Sequence, residues 1–133
     1  MSRTIWLLMA LLASLPARAE TLVASWYGPG FDGRRTASGC AYDQDGLSAA
    51  SRVLPLGTVL EVTYGGRTVR VVVDDRGPYV VGRGLDLSRG AAARLGLLRA
   101  GVARVTTRIV GSTPLRCRAA RRPAVRSAVP AMG

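Results

Sequence analysis

The sequence predicts an all-β protein, a small barrel of about six strands with one short helix. Three observations carry this: short apolar and β-branched runs with a period near two, Gly- and Pro-rich turn signals between them, and one stretch with helical spacing. Leu22 to Tyr27 reads as a first strand, ended by Gly28-Pro29-Gly30. Leu47 to Ala50 forms a short second one. Thr58 to Tyr64 and Arg67 to Asp74 flank Gly65-Gly66, which suits a tight hairpin. In the second of these, Val69, Val71 and Val73 share one face and Arg70 and Asp74 the other. Val72 breaks the alternation, so that strand is expected to be covered on both faces. Leu85-Asp86-Leu87-Ser88 leads into a short helix over Arg89 to Leu98. Ala91, Ala92, Leu95 and Leu98 fall on one side of it, and Asp86 or Ser88 caps its start. Val102 to Val110 closes the series as a strand with alternating Val105, Thr107 and Ile109.

The ends read differently from the middle. Met1-Ser2-Arg3, the uncharged apolar run Ile5 to Leu15 and the small-x-small pattern Ala17-Arg18-Ala19 together make residues 1–19 a secretory signal peptide. The run is far shorter than the roughly 20 apolar residues of a spanning helix. No cysteine follows it to accept a lipid, so the expected product is periplasmic or secreted and not a lipoprotein. Residues 20–111 form the folded domain, and residues 112–133 an Arg-, Pro- and Ala-rich flexible tail too poor in large apolar residues to fold alone. A domain of roughly 90 residues buries only about two-thirds of its unfolded surface, so a covalent staple would help it.

Composition narrows the chemistry. All 19 basic residues are arginine, and the formal charge is +11; without Arg3 and Arg18 it is +9, against eight acids. Such a surplus favours polyanions. With an export signal, the expected partner is an anionic wall polymer or a membrane surface, contacted through tail residues Arg116, Arg118, Arg121, Arg122 and Arg126, rather than nucleic acid. Histidine is absent, which removes Ser-His-Asp triads and His-containing metal sites. Neither a metal nor a cofactor is expected, and the protein is read as a monomer.

The stretch VDDRGPYVVGRGLDLS is the richest in chemistry. Asp75 stands where a strand runs into the turn Arg76-Gly77-Pro78, and Asp86 follows eleven residues later. Two carboxylates entering one surface from a strand end and a helix start can do acid/base work. Structural uses are equally ordinary: Asp75 paired with Arg76 or Arg83, and Asp86 as a helix cap. Around them, Trp26, Tyr27 and Tyr79 are candidates to offer ring faces to a substrate or to pack on the barrel, and Arg34, Thr36, Ser51 and Arg76 to line a binding groove, with Asp32 and Arg35 nearby in the long loop Gly28 to Gly46.

Four stretches, ASWYGPGFDGRRTASG (Ala24 to Gly39), LSAASRVLPLGT (Leu47 to Thr58), DDRGPYVVGRGLDLSRGAAARLGL (Asp74 to Leu97) and the closing strand, resemble the RlpA (rare lipoprotein A) family. These are septal ring lytic transglycosylases built on a double-psi β-barrel. The resemblance spans Val23 to Val110 and implies a six-stranded double-psi β-barrel that binds and endolytically cleaves peptidoglycan glycan strands. In such a reaction one protonated acid releases the glycosidic oxygen. The same group, now a base, helps the muramic acid 6-hydroxyl close onto the anomeric carbon to leave a 1,6-anhydro end.

The family's third polar catalytic position is retained as Asp75, the Asp of its Asp-Arg-Gly-Pro turn. Its Ser-Gly-Glu and Ala-Ala-His positions are Ser38-Gly39-Cys40 and Ala49-Ala50-Ser51 in this chain. A thiol, with a reference pKa of about 8.5 against about 4.3 for Glu, cannot replace the acid. Asp75 is then the expected catalytic residue, assisted by Asp86. The alternative is an expansin-like module that binds peptidoglycan without cutting it, since double-psi barrels of that type resemble this arrangement. Cys40 and Cys117 are the only cysteines, an even count that in an exported chain favours a disulfide over free or intermolecular thiols.

Overall fold

The computed structural model describes residues 18–117. The signal-peptide reading therefore lies outside the described residues, apart from residues 18 and 19, as do tail arginines Arg118, Arg121, Arg122 and Arg126. Six strands close into a barrel: β1 (Glu20–Trp26), β2 (Ser48–Ala50), β3 (Thr58–Tyr64), β4 (Arg67–Asp75), β5 (Leu85–Leu87) and β6 (Val102–Ser112), with one helix, α1 (Arg89–Leu95), between β5 and β6. Around the barrel the order is β1-β5-β2-β4-β3-β6. β1 runs parallel to β5, and β2 parallel to β4; the other neighbours are antiparallel. The connection from β1 to β2 must step over the place of β5, and that from β4 to β5 over the place of β2. These two interlocked crossovers are the double-psi arrangement.

Alternation builds the core. Ala24, Ala49, Leu60, Val62, Val69, Val71, Val73, Leu85, Leu87 and Val105 are buried together, and most of their strand neighbours are less buried, Ser25 and Ala50 excepted. The Gly65-Gly66 hairpin forms as expected, both glycines taking positive φ. Leu85 to Leu87 is a strand in its own right rather than a lead into the helix, because Ala24, Ser25 and Trp26 of β1 pair with it in parallel.

Helix α1 is shorter than its apolar spacing suggests. It stops at Leu95 because Gly96 adopts a left-handed conformation (φ 73°) and its N–H closes the end onto the carbonyls of Ala92 and Ala93. Its start is capped by Ser88, whose Oγ accepts from the Ala91 N–H at 3.2 Å. Ser88 also donates to the Gly46 carbonyl (2.7 Å) and accepts from the Ser48 N–H, tying helix, loop and β2 together. Gly90 is required by the same junction, since a Cβ there would lie 2.8 Å from the carbonyl oxygens of Asp45 and Gly46. With Ser88 as cap, Asp86 is left for other work.

Candidate active site

Strand register brings the two sequence-predicted carboxylates onto one row. Ser25 pairs with Asp86, Asp86 with Ala50, and Ala50 with Asp75, so the row crosses β1, β5, β2 and β4. At about 4.8 Å per strand, the Asp75 and Asp86 backbones stand roughly 10 Å apart. The row alternates with Leu85, Leu87, Val73 and Ala49 of the barrel core; within it Ser25 and Ala50 are buried, and Asp75 and Asp86 half-buried. Asp75 reaches it through a β-bulge. Ala49 pairs with Val73 and Ala50 with Asp75, so Asp74 is the extra residue, and a regular strand would have placed Asp74 opposite Ala50 instead.

Three donors hold the Asp75 side chain. The Tyr27 hydroxyl donates to Oδ2 at 2.6 Å, and the backbone N–H groups of Ala37 and Arg76 donate to Oδ1, each at 2.8 Å. Arg76 thus meets Asp75 through its backbone, while its guanidinium donates to the carbonyls of Ser51 (3.0 Å) and Leu54. Asp86 accepts from the Ser25 hydroxyl at 3.1 Å. Burial raises the Asp86 carboxyl above the usual range; the Ser25 hydrogen bond and Arg83 pull it partly back, and Asp75 adds to the rise. Asp74 is lifted to about 6 by burial and then by the adjacent Asp75. Burial, reinforced by Asp75, holds the Tyr27 phenol well above the tyrosine range.

A cleft of about 340 Å³ opens beside the row, lined by Tyr27, Phe31, Pro78, Tyr79, Arg83 and Asp86 among others. Tyr79 is 78% exposed on its rim, and Phe31 is also exposed. Trp26 both packs on the core and lines the cleft. The remaining sequence candidates are engaged within the fold. The buried Ser51 hydroxyl accepts from the N–H groups of Val53 and Leu54, fixing a turn. The Thr36 hydroxyl donates to the Cys40 carbonyl at 2.8 Å. Arg34 lies over the Phe31 ring, 5.3 Å from its centroid.

Cys40 is bonded to Cys117. The disulfide stands at the edge of a second cleft of about 570 Å³, which Cys40 lines together with Asp74, Asp43, Leu115 and Arg116. The Cys40 thiol is therefore consumed in a staple. Among the described residues, no group of three or more Cys, Asp or Glu side chains is placed to hold a metal ion. Ser25, Asp74 and Tyr42 were not legible as site residues. Their places depend on pairing register, on the bulge and on ring contacts between distant segments. Chemically, the row offers a half-buried carboxyl with a raised pKa as proton donor, and beside it a carboxylate fixed by three hydrogen bonds.

A family model described as lytic transglycolase matches residues 19–107. The chain is 46% identical over 91 residues to the endolytic peptidoglycan transglycosylase RlpA of Campylobacter jejuni, covering 67% of this chain and 33% of that protein. It is 58% identical over 81 residues to the probable endolytic peptidoglycan transglycosylase RlpA of Aquifex aeolicus, covering 59% and 36%. It thus spans about a third of the length of these relatives. Among solved structures, the Streptomyces papain inhibitor superposes with a TM-score of 0.58 at 27% identity, over 72% of this chain and 97% of that one. The apo form of Clavibacter michiganensis expansin does so with 0.57 at 27% identity, over 74% and 53%. By sequence match and by barrel topology alike, the chain belongs to the RlpA family of double-psi β-barrel lytic transglycolases.

Proposed function

We propose that the chain is exported, binds peptidoglycan glycan strands in the cleft beside β5, and cleaves them by the lytic transglycosylase reaction. One observation carries this reading: Asp75 and Asp86 share a single cross-strand row, and Asp86 of that row lines a cleft rimmed by aromatic rings. Asp86, its carboxyl raised by burial, is the proton donor to the glycosidic oxygen as the bond to the anomeric carbon breaks. It then takes the proton of the 6-hydroxyl that closes onto that carbon. Asp75 supplies negative charge against the oxocarbenium-like transition state. Tyr79 and Phe31 offer ring faces to the sugars. The disulfide supports an oxidising, extracytoplasmic setting.

A second reading, binding without cleavage, is favoured by Cys40 and Ser51. The resemblance puts both at family catalytic positions, and here one is locked in a disulfide and the other in a turn. Incubating the protein with glycan strands stripped of stem peptides separates the two. Cleavage gives fragments with 1,6-anhydro ends in the mass spectrum, whereas pull-down without such fragments leaves only the binding reading.

A further inference from the structure

We infer that Tyr27 is the positioning residue of this site, acting through its phenol on Asp75 rather than as a sugar-stacking ring. This rests on the reading that Asp75 and Asp86 act on a glycan. The hydroxyl lies 2.6 Å from Asp75 Oδ2, in the short range of hydrogen bonds to a charged acceptor. A carboxylate offers about four acceptor directions. Two on Oδ1 are taken by the Ala37 and Arg76 N–H groups, and Tyr27 takes one on Oδ2. A single direction is left for a ligand, and the phenol decides which one.

The ring is held by two others. Tyr42 packs against it at a tilt of 36° with centroids 4.5 Å apart, and Phe31 approaches at 5.9 Å. Tyr42 is itself anchored: its hydroxyl accepts from the Arg89 N–H at the start of α1, its N–H donates to the Arg34 carbonyl (2.7 Å), and its carbonyl accepts from the Gly33 N–H (2.8 Å). A frame running from helix start to loop to β1 thus ends on one carboxylate oxygen. Burial keeps the phenol protonated throughout any working pH, so it is a permanent donor.

The charged groups around Asp75 make that donor consequential. Asp74 adjoins it on β4, and Asp86 faces it across Ala50. Arg83 acts on Asp86, and the Arg76 guanidinium is committed to the carbonyls of Ser51 and Leu54. Without the phenol, only the two backbone donors hold Asp75 beside these two carboxyls.

The test is Tyr27→Phe, which keeps the ring and removes the donor. The carboxyl-carbon NMR resonance of Asp75 at one neutral pH, assigned with Asp75→Asn, reads the lost hydrogen bond without needing turnover and is expected to move in the variant. In the cleavage assay kcat is expected to fall about tenfold with KM within about twofold. A merely structural tyrosine would leave the Asp75 resonance in place. An unmoved Asp75 resonance would overturn the proposal, whatever the cleavage rates. Should the wild-type protein bind but not cleave, the catalytic reading fails while the resonance still decides the role of Tyr27. If the variant fails to fold, the reciprocal measurement serves. Asp75→Leu should let the Tyr27 phenol ionise at lower pH than in the wild-type chain, as read by ultraviolet absorbance, and an unchanged phenol would reject the coupling.

Discussion

Asp75 and Asp86 stand on one cross-strand row of the barrel with Ala50 between them, although the loop from β4 to β5 separates them in the chain. The relationship depends on a single inserted residue. Asp74 bulges out of β4, and Asp75 thereby takes the place opposite Ala50 that an unbroken pairing would have given to Asp74.

The bulge has a cost that titrates. Asp74 is raised from 3.8 to about 6, chiefly by burial, so between those pH values the folded protein binds more protons than the unfolded chain. Stability from this group therefore falls as pH rises through that window. In a sealed site such a shift is worth roughly 1.4 kcal/mol per pKa unit; solvent reaching this half-buried carboxyl reduces it. Asp74→Asn is expected to stabilise the protein by about 1 kcal/mol above pH 6 and to leave it unchanged near pH 3. Urea midpoints at the two pH values check the sign.

The disulfide spans 77 residues and joins the long first loop to the chain beyond β6. In the chain-entropy model, closing so large a loop stabilises the fold by roughly 4 kcal/mol. Replacing both Cys40 and Cys117 with Ser should lower the denaturant midpoint accordingly. A thiol titration of the untreated protein should find no free thiol.

The Ser88 hydroxyl makes three hydrogen bonds from a fully buried position, with the Ala91 N–H, the Ser48 N–H and the Gly46 carbonyl. Ser88→Ala leaves these groups without that partner and should cost about 2 kcal/mol in thermal or chemical unfolding.

The elements with their own periodicity were legible from the residues: the β3–β4 hairpin from Gly65-Gly66 between alternating valines, and β6 from Val105, Thr107 and Ile109. Three-residue β5 was not, because Leu85-Asp86-Leu87 is too short to show a period and exists only by pairing with β1. The choice between Asp86 and Ser88 as cap also stayed open, since both residue types cap helices and only the fold shows which hydroxyl or carboxylate reaches the Ala91 N–H. The site divides the same way. Asp75 and Asp86 stood out by residue type and turn context. The bulge at Asp74 and the bond from Tyr27 to Asp75 join segments far apart in sequence and leave no local trace.

Tyr79 is exposed on the cleft rim and carries no hydrophobic core duty. Tyr79→Ala should therefore weaken glycan affinity about fivefold, the loss of one stacking contact of about 1 kcal/mol, with an unchanged melting temperature. Titration of glycan oligomers against both proteins checks it.

Whether the Asp75–Asp86 row cleaves the glycan is read by Asp86→Asn on denuded strands. The wild-type protein should release fragments with 1,6-anhydro ends. The variant, unable to donate a proton, should release them at least about 100-fold more slowly while still retaining the strands in pull-down. Cleavage by Asp86→Asn at the wild-type rate would mean that Asp86 is not the proton donor.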